Sequence, residues 1–293
     1  MRIFTITALC LTLLSTPSYT ADSIKTEKIT DTLYVLYSPK GGNVAASIGD
    51  DGTFLIDDQL KDRAAAVEDA LGGIGSRRIN FIMNTHYHFD HTGGNEAFGS
   101  SGAILVAHNN VRQRLSTSQF ITHFKKPMPP LEKSGLPVVT FTQDMTLHYN
   151  GDDVHIVHMP QAHTDGDAIA HFPKNNVIVA GDIIFNGLYP FIDAEHGGSA
   201  QGVIAALDRM IDMGNADTRY IPGHGPVMTR DDVKKYKDML HTITSRIETA
   251  IKDGKTRDET IATKPTQEFD AHMQKGIVSP DELTGLIYDG TKK

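Results

Sequence analysis

The chain has 293 residues, which is enough for one large domain or two small ones. It carries 28 basic and 36 acidic side chains, for a formal net charge of −8. Because a protein that binds nucleic acid usually presents a basic surface, this acidic balance argues against a nucleic-acid partner. The densest basic stretch, at residues 234–237, lies among aspartates and is typical of a solvated helix face.

Residues 1–21 have the pattern of a secretory signal peptide. Arg2 precedes an apolar stretch at residues 3–14, and small and polar residues follow. That stretch is too short to span a bilayer in the mature protein, and no later segment is long and apolar enough. Cys10 is the only cysteine, so the mature chain would form no disulfide and offer no thiol to a metal. We expect a periplasmic or secreted protein with no membrane partner after signal cleavage.

Strand and helix patterns alternate along the rest of the chain. The first half predicts a helix at 62–71 and strands at 33–37, 44–48, 53–56, 79–83 and 103–107. The second half predicts helices at 200–213 and about 231–252, and strands at 138–141, 146–149, 154–158, 168–172, 177–180 and 219–221. Between the halves, four prolines are expected to break any regular element at 116–137, which leaves either a lid beside a site or a surface connection.

The order of these elements suggests two similar halves. Two sheets that face each other, with helices outside, would bury the apolar faces of both. Residues 22–254 are assigned to this domain. Residues 255–293 are assigned to a helical tail that packs on it, with Pro280 at the start of the last helix.

Residues 85–91 read Thr-His-Tyr-His-Phe-Asp-His and place three imidazoles and a carboxylate close together. Such crowding is costly without a cation, and these ligand types suit zinc and related divalent ions. In an extended segment, residues two apart point the same way, so His86 and His88 can reach one position. Asp90 and His91, at the turn into the next helix, can reach a second position nearby.

Three further candidates follow predicted strands in glycine-flanked or turn-like contexts, namely His163, Asp182 and His224. Each emerges from the carboxyl end of a strand, as the 85–91 motif does. A site on one rim of a sheet sandwich requires this common polarity. The residues therefore predict a metal site with seven ligands: His86, His88, Asp90, His91, His163, Asp182 and His224.

The run Thr-His-Tyr-His-Phe-Asp-His-Thr-Gly-Gly at 85–94, with His163, Ala-Gly-Asp at 180–182 and Pro-Gly-His-Gly at 222–225, resembles the metallo-β-lactamase superfamily. The similarity covers roughly residues 30–250. It implies an α/β fold, an αββα sandwich of two mixed β-sheets with helices on the outer faces. It also implies that one metal is held by His86, His88 and His163, a second by Asp90, His91 and His224, and that Asp182 bridges the two.

The resemblance also implies roles around the ions. Asp57, after the strand at 53–56, matches an early aspartate of the superfamily that supports the ligands without touching metal. Two zinc ions, with iron or manganese as alternatives, would share a hydroxide that attacks a carbonyl carbon. Asp90 is the catalytic candidate, because it would ligate a metal and orient this nucleophile.

The segment at 185–191 directly follows Asp182 and is expected to face the opening of the site. Its Asn186 and Tyr189 are therefore candidate contacts to a small-molecule substrate. His196 lies close by in the sequence and is a third candidate.

Several differences from known members of the superfamily indicate which branch this chain resembles. Asp182 stands where common β-lactamases carry Cys or Ser, and no lysine is placed nearby to bind an antibiotic carboxylate. This is more like glyoxalase II, lactonases and phosphodiesterase-type members, although no glutathione-binding tail is evident. Oxygen-reducing di-iron members carry Glu where this chain has His88, and nucleases suit a basic surface. The remaining similarity is to exported hydrolases, some of them labelled cyclases or accessory proteins of periplasmic quinoprotein oxidation systems.

The leading hypothesis is a periplasmic dinuclear zinc hydrolase of a small ester, thioester, lactone or amide. One alternative is a β-lactamase that hydrolyses β-lactam antibiotics. Another is an iron-dependent sulfur or persulfide dioxygenase that uses only the first metal position, and a binding-only accessory role also stays open. One sequence determines neither the native metal nor the oligomeric state.

Overall fold

The structure is a computed structural model that describes residues 23–76 and 78–292, so the predicted signal peptide lies outside the described residues. The strands, in chain order, are β1 (Lys25–Lys28), β2 (Leu33–Tyr37), β3 (Val44–Gly49), β4 (Gly52–Ile56), β5 (Ile79–Asn84), β6 (Ile104–His108), β7 (Gln119–Ile121), β8 (Lys126–Met128), β9 (Val139–Phe141), β10 (Asp144–Tyr149), β11 (Asp152–His158), β12 (Ala168–Phe172), β13 (Val177–Phe185), β14 (Arg219–His224) and β15 (Met228–Thr229). The helices are α1 (Ala64–Gly73), α2 (Phe89–Thr92), α3 (Asn95–Ser100), α4 (Asn109–Leu115), α5 (Ala200–Met213), α6 (Arg230–Lys252), α7 (Arg257–Ala262) and α8 (Pro280–Thr291).

Two mixed sheets form the centre of the molecule. The first has the order β1-β2-β3-β4-β5-β6-β9 and is antiparallel up to β4 and parallel beyond it. The second has the order β10-β11-β12-β13-β14-β15, in which only β13 and β14 run parallel. β7 and β8 pair with each other as a separate hairpin.

Alternating side chains place the first sheet between two apolar layers. On β4, Phe54 and Ile56 belong to the core between the sheets, where the Phe54 ring lies 6.4 Å from that of Phe172 on the second sheet. Leu55 faces the other way and packs in the cluster that contains Val67 of α1. This two-residue period is the geometry of a strand that is covered on both faces.

The outer face of the second sheet is covered by three helices. Ile178 of β13 shares one buried cluster with Leu207 of α5, Ile243 of α6 and Leu283 of α8. With α1 and α3 outside the first sheet, the layers run helix, sheet, sheet, helix. The predicted αββα sandwich is confirmed.

Two predicted strands are longer in the structure than their sequence patterns indicated. β13 continues through Asp182 to Phe185, and β14 ends at His224. The pairing of the two strands shifts register around Gly181, whose φ of +54° suits a residue without a Cβ. Asp182 and His224 therefore lie on strands, where the backbone holds them more firmly than a following loop would.

The expectation that prolines prevent regular structure at 116–137 was wrong. β7 and β8 pair across this region, and Pro127 of β8 lies opposite Phe120 of β7. Proline is tolerated there because a strand of an isolated hairpin has an edge that makes no ladder hydrogen bonds.

The C-terminal tail packs on the outer helices. Leu283 and Ile287 of α8 are at most 2% exposed and share a cluster with Ile243 and Ile247 of α6. α8 begins at Pro280, after Ser279, whose side chain accepts a hydrogen bond from the backbone N–H of the third helical residue. Within the described ranges, no helix combines the length and hydropathy needed to cross a bilayer.

We expect Leu283→Ala to lower the free energy of unfolding by about 2–5 kcal/mol, because it leaves a cavity under α8. Chemical denaturation of the purified protein measures this change. Ile277→Ala is the control on the same tail, since its side chain is 49% exposed and should cost far less. Equal stability of Leu283→Ala and the parent would show that α8 is not part of the cooperative fold.

Candidate metal centre

The seven predicted ligands converge in two groups at one rim of the sandwich. The first group contains His86, His88, His163 and Asp182, and its donor atoms all lie within 4.8 Å of one another. Within it, His163 Nε2 is 2.8 Å from His88 Nδ1 and 3.7 Å from Asp182 Oδ2. His86 Nε2 lies 3.8 Å from the same carboxylate oxygen. Two imidazole nitrogens thus lie within 4 Å of one oxygen of Asp182, and His88 Nδ1 lies beside one of them.

The second group contains Asp90, His91 and His224, with the same spacing limit of 4.8 Å. Asp90 Oδ2 lies 3.4 Å from His224 Nε2 and 3.8 Å from His91 Nε2. The other oxygen of Asp182, Oδ1, is 3.0 Å from His91 Nε2 and 3.4 Å from His224 Nε2. Asp182 therefore offers one oxygen to each group, as a bridging ligand would.

Three buried atoms of the cluster lack a hydrogen-bond partner, namely His86 Nε2, His91 Nε2 and Asp182 Oδ1. A buried polar atom left in this way costs about 1–3 kcal/mol. Both ring nitrogens lie within 4 Å of Asp182, and imidazole nitrogens with carboxylate oxygens are donors for divalent metals. The donor set therefore fits divalent metal ions.

Local sequence explains why the first motif can fold here. His86 and His88 follow β5, and Tyr87 between them points away into the core, where it is 1% exposed. The short helix α2 then turns Asp90 and His91 back toward the site. The expected alternation of side chains on the two sides of this segment is confirmed.

Two glycines allow the backbone to approach the ligands. A Cβ at Gly223 would collide with Asp182 Oδ1, and one at Gly42 would collide with the ring of His91. Gly223 lies on β14 and Gly42 on the loop between β2 and β3, so a larger residue at either position would displace a ligand.

Asp57 lies behind the second ligand group, where the sequence predicted a supporting carboxylate. Its Oδ2 is 2.8 Å from His91 Nδ1, and its Oδ1 accepts a hydrogen bond of 2.7 Å from the backbone N–H of Thr85. The φ of Asp57 is +65°, a left-handed conformation that is strained for a residue with a Cβ. The contact between Asp57 and His91 Nδ1 stabilises this strained conformation and directs His91 Nε2 at the ligand cluster.

Asp193 supports the first group and was not predicted from the sequence. Its Oδ2 lies 3.0 Å from His88 Nε2 and accepts a hydrogen bond of 2.7 Å from the Tyr87 hydroxyl. Its Oδ1 is 2.8 Å from His196 Nδ1. This arrangement leaves His88 Nδ1 free to face His163. The only sequence signal was an acidic residue three positions before a histidine, and this pattern does not indicate which distant side chain the acid will meet.

The three predicted substrate contacts lie elsewhere. The Tyr189 hydroxyl donates to Asp270 Oδ1 at 2.7 Å, the Asn186 amide donates to the carbonyl of Pro226 at 2.9 Å, and His196 pairs with Asp193. None of the three lines the cavity at the metal centre. The prediction assumed that the strand ends at residue 180. Because β13 continues to Phe185, the turn that follows directs Asn186 and Tyr189 away from the opening, whereas Leu188 and Phe191 of the same segment line the cavity.

A cavity of about 450 Å³ opens onto the ligands His88, Asp90, Asp182 and His224. One side of it is apolar, with the side chains of Leu60, Phe89, Phe124, Leu188, Phe191 and Ile277. The loop between β2 and β3 forms another side and includes Ser38, Lys40 and Asn43. Lys40 reaches the cavity, which the sequence around Asp182 did not indicate, because this loop folds back over the rim from far upstream in the chain.

Burial sets the charge of the first group. It lowers the pKa of His163 to about 4 and holds the pKa of His86 well below its ordinary value. Both imidazoles are therefore neutral at pH 7, which is the form that binds a metal.

In the second group, the protonated forms of the histidines are favoured instead. Burial disfavours protonation of His91 and His224, but the neighbouring carboxylates, Asp182 first and then Asp90, together outweigh it. The pKa of His224 rises to about 9, and that of His91 lies well above its ordinary value. Burial likewise opposes ionisation of Asp182, yet the charges of His91 and His224 hold its pKa well below the usual range. In the metal-free protein, two imidazolium groups thus balance the carboxylates.

The model of the metallo-β-lactamase superfamily matches residues 40–224, more than half of the chain. The chain belongs to this superfamily. Hydroxyacylglutathione hydrolase from Nitrosococcus oceani is 27% identical over 149 residues, which are 50% of this chain and 49% of that protein. The protein of the same name from Maricaulis maris is 29% identical over 108 residues, 36% of this chain and 34% of that protein. The chain thus spans half or less of the length of these curated relatives.

Solved structures of the superfamily share the fold. The inverting sec-alkylsulfatase Pisa1 from Pseudomonas sp. gives a TM-score of 0.68 at 16% identity, over 91% of this chain and 50% of that one. The metallo-β-lactamase DIM-1 gives a TM-score of 0.60 at 15% identity, over 75% of this chain and 98% of that one. At these identities the likeness concerns the fold alone.

We expect zinc loading of the metal-free protein at pH 7 to release at least about two protons per chain, because His91 and His224 must lose theirs to bind and a zinc-bound water that ionises releases another. Since both pKa values are raised, apparent zinc affinity should increase from about pH 6 to about pH 9. An indicator dye in weak buffer measures the release, and the His224→Ala variant should release about one proton fewer. Proton release that is absent at pH 7 would contradict this account of the charges.

We expect Asp193→Asn to weaken metal binding by about 10–100-fold, because His88 loses the carboxylate that orients its ring. Competition with a chromophoric chelator measures the affinity. Glu195→Gln is the matched control, since this exposed neighbour does not contact a ligand. Unchanged affinity in Asp193→Asn would show that the pairing with His88 has no role in binding.

Proposed function

We propose that the protein is an exported dinuclear zinc hydrolase that cleaves a small ester, thioester, lactone or amide. The observation that carries the proposal is the placement of Asp182, which offers one oxygen to His86 and His163 of the first group and the other to His91 and His224 of the second. A protein that uses a single metal ion has no need for a second complete donor group. The signal-like pattern at residues 1–21 supports export.

The side chains at the cavity support hydrolysis. Two zinc ions at this donor set would supply a nucleophilic hydroxide at neutral pH and would polarise a carbonyl oxygen. Asp90 lines the cavity with its side chain 15% exposed, so its carboxylate can orient a nucleophile or accept a proton at Oδ2. The apolar wall on one side excludes water from the bound substrate. No serine or cysteine nucleophile is needed.

The curated relatives favour an acyl compound as the substrate. They are named hydroxyacylglutathione hydrolases, and the matches cover at most half of this chain. We therefore place thioesters and esters first within the proposed class.

A second candidate is the hydrolysis of β-lactams, and Lys40 favours it. This lysine lines the cavity beside the ligands, and an ammonium group is the usual partner of a substrate carboxylate. Turnover of nitrocefin that EDTA abolishes would support this candidate. No turnover at high enzyme concentration would eliminate it.

We expect elemental analysis of the purified mature protein to find about two zinc ions per chain. A substrate panel of esters, thioesters, lactones, amides, phosphodiesters and β-lactams then tests the reaction. One iron and no zinc per chain would overturn the proposal in favour of a sulfur or persulfide dioxygenase.

We expect His88→Ala to lose most metal at the first position and nearly all activity, by at least about a thousandfold, because both the ion and its nucleophile depend on that ring. Activity on the best substrate and metal content are measured together. His155→Ala is the control, since this exposed histidine on β11 lies outside both ligand groups. Wild-type turnover by His88→Ala would show that the mechanism is wrong.

A further inference from the structure

Three separate segments build the apolar wall of the cavity. Phe89 comes from α2, Phe124 from the turn of the β7–β8 hairpin, and Ile277 from the C-terminal tail. Leu188 and Phe191, after β13, complete it. The hairpin and the tail are distant in sequence, so the wall forms only when both have docked on the sandwich.

Aromatic contacts hold the wall together. The ring of Phe124 lies 5.0 Å from that of Phe191 and meets the ring of Phe89 edge-on at 6.2 Å. The Lys126 ammonium lies 4.1 Å from the centre of the Phe89 ring, on the side of the hairpin. Such pairs have defined geometry, so the wall is formed before a substrate arrives.

One hydrogen bond joins the hairpin to the tail. His123 Nε2 lies 3.0 Å from the carbonyl oxygen of Ile277, to which it donates. The ring of His123 also stacks on that of Phe191 at 5.0 Å. This connection fixes Ile277 beside Phe124, although the Ile277 side chain remains 49% exposed.

The wall is continuous with the metal centre. His88 and Phe191 line the same cavity, and their rings are 5.8 Å apart. A substrate whose carbonyl carbon lies at the ligands would therefore extend one of its substituents along the apolar side. The polar loop that carries Ser38 and Lys40 leaves room for the other substituent. A cavity of about 450 Å³ is in the range of small-molecule sites and accommodates both substituents.

We propose that this wall binds an apolar acyl group of medium length and thereby selects the substrate. The inference rests on the proposed hydrolase function. In the reaction, water oxygen bonds to the acyl carbon, the bond to the leaving oxygen, sulfur or nitrogen breaks, and the leaving group receives a proton. Phe124 and Ile277 are specificity-determining residues, since they touch the acyl group and no metal ligand.

The first test uses zinc-loaded full-length protein and p-nitrophenyl esters from acetate to octanoate. We expect kcat/KM to rise up to about fourfold for each buried methylene until the wall is covered. Phe124→Ala should reduce the octanoate-to-acetate ratio of kcat/KM by about tenfold, because the octanoyl chain loses more contact with the wall than the acetyl group does. Phe120→Ala is the matched control, because this phenylalanine of the same hairpin is 52% exposed and lies outside the cavity.

A second variant and a binding measurement make the result independent of folding and turnover. Ile277→Ser alters the wall from the tail and should lower the same ratio. By calorimetry, octanohydroxamate should bind the zinc protein at least about tenfold more tightly than acetohydroxamate, and Phe124→Ala should remove the difference.

The outcomes separate the two proposals. Ester hydrolysis without preference for chain length, together with equal hydroxamate affinities, would overturn the wall proposal and leave the hydrolase standing. A hydroxamate preference without hydrolysis of any ester, thioester, lactone or amide would support the wall and overturn the proposed reaction.

Discussion

The structure depends on one buried carboxylate. Asp182 is 6% exposed and has imidazole nitrogens within 4 Å of both its oxygens. A group of this charge cannot be buried unless positive charge surrounds it, whether from a cation or from protonated histidines. The long strand β13 delivers it, and the glycine at 223 on β14 leaves space for it. Loops from both sheets therefore have to meet at this point, which fixes how the two halves of the sandwich are joined.

The cost of this arrangement is visible around the cluster. Three donor atoms are buried without partners, and Asp57 holds a left-handed backbone conformation. Three of the ligand histidines also have a partner for the ring nitrogen that faces away from the other ligands. Asp57 pairs with His91, Asp193 with His88, and the backbone carbonyl of Phe191 with His163 Nδ1 at 2.8 Å. The fold thus gives up some stability in order to orient the donor atoms, as is usual at functional sites.

Much of this could be predicted from sequence because the signals are local. The spacing of residues 85–91 depends only on neighbours along the chain, and the order of strand and helix patterns, with the resemblance to the superfamily, indicated the sandwich. Asp193 could not be predicted, because its contact with His88 joins residues 105 positions apart and depends on packing. Strand ends were also missed: the irregular pairing at Gly181 extends β13 past the apolar run, and so carries Tyr189 away from the opening.

The outer partners of the imidazoles have one more consequence. With Nδ1 of His86 hydrogen-bonded to the Thr85 hydroxyl, every ring in the first ligand group is anchored on the side that faces the protein. Such a framework holds its shape when an ion departs. Metal exchange then requires no refolding, and the fixed imidazole and carboxylate donors favour divalent ions that accept this geometry.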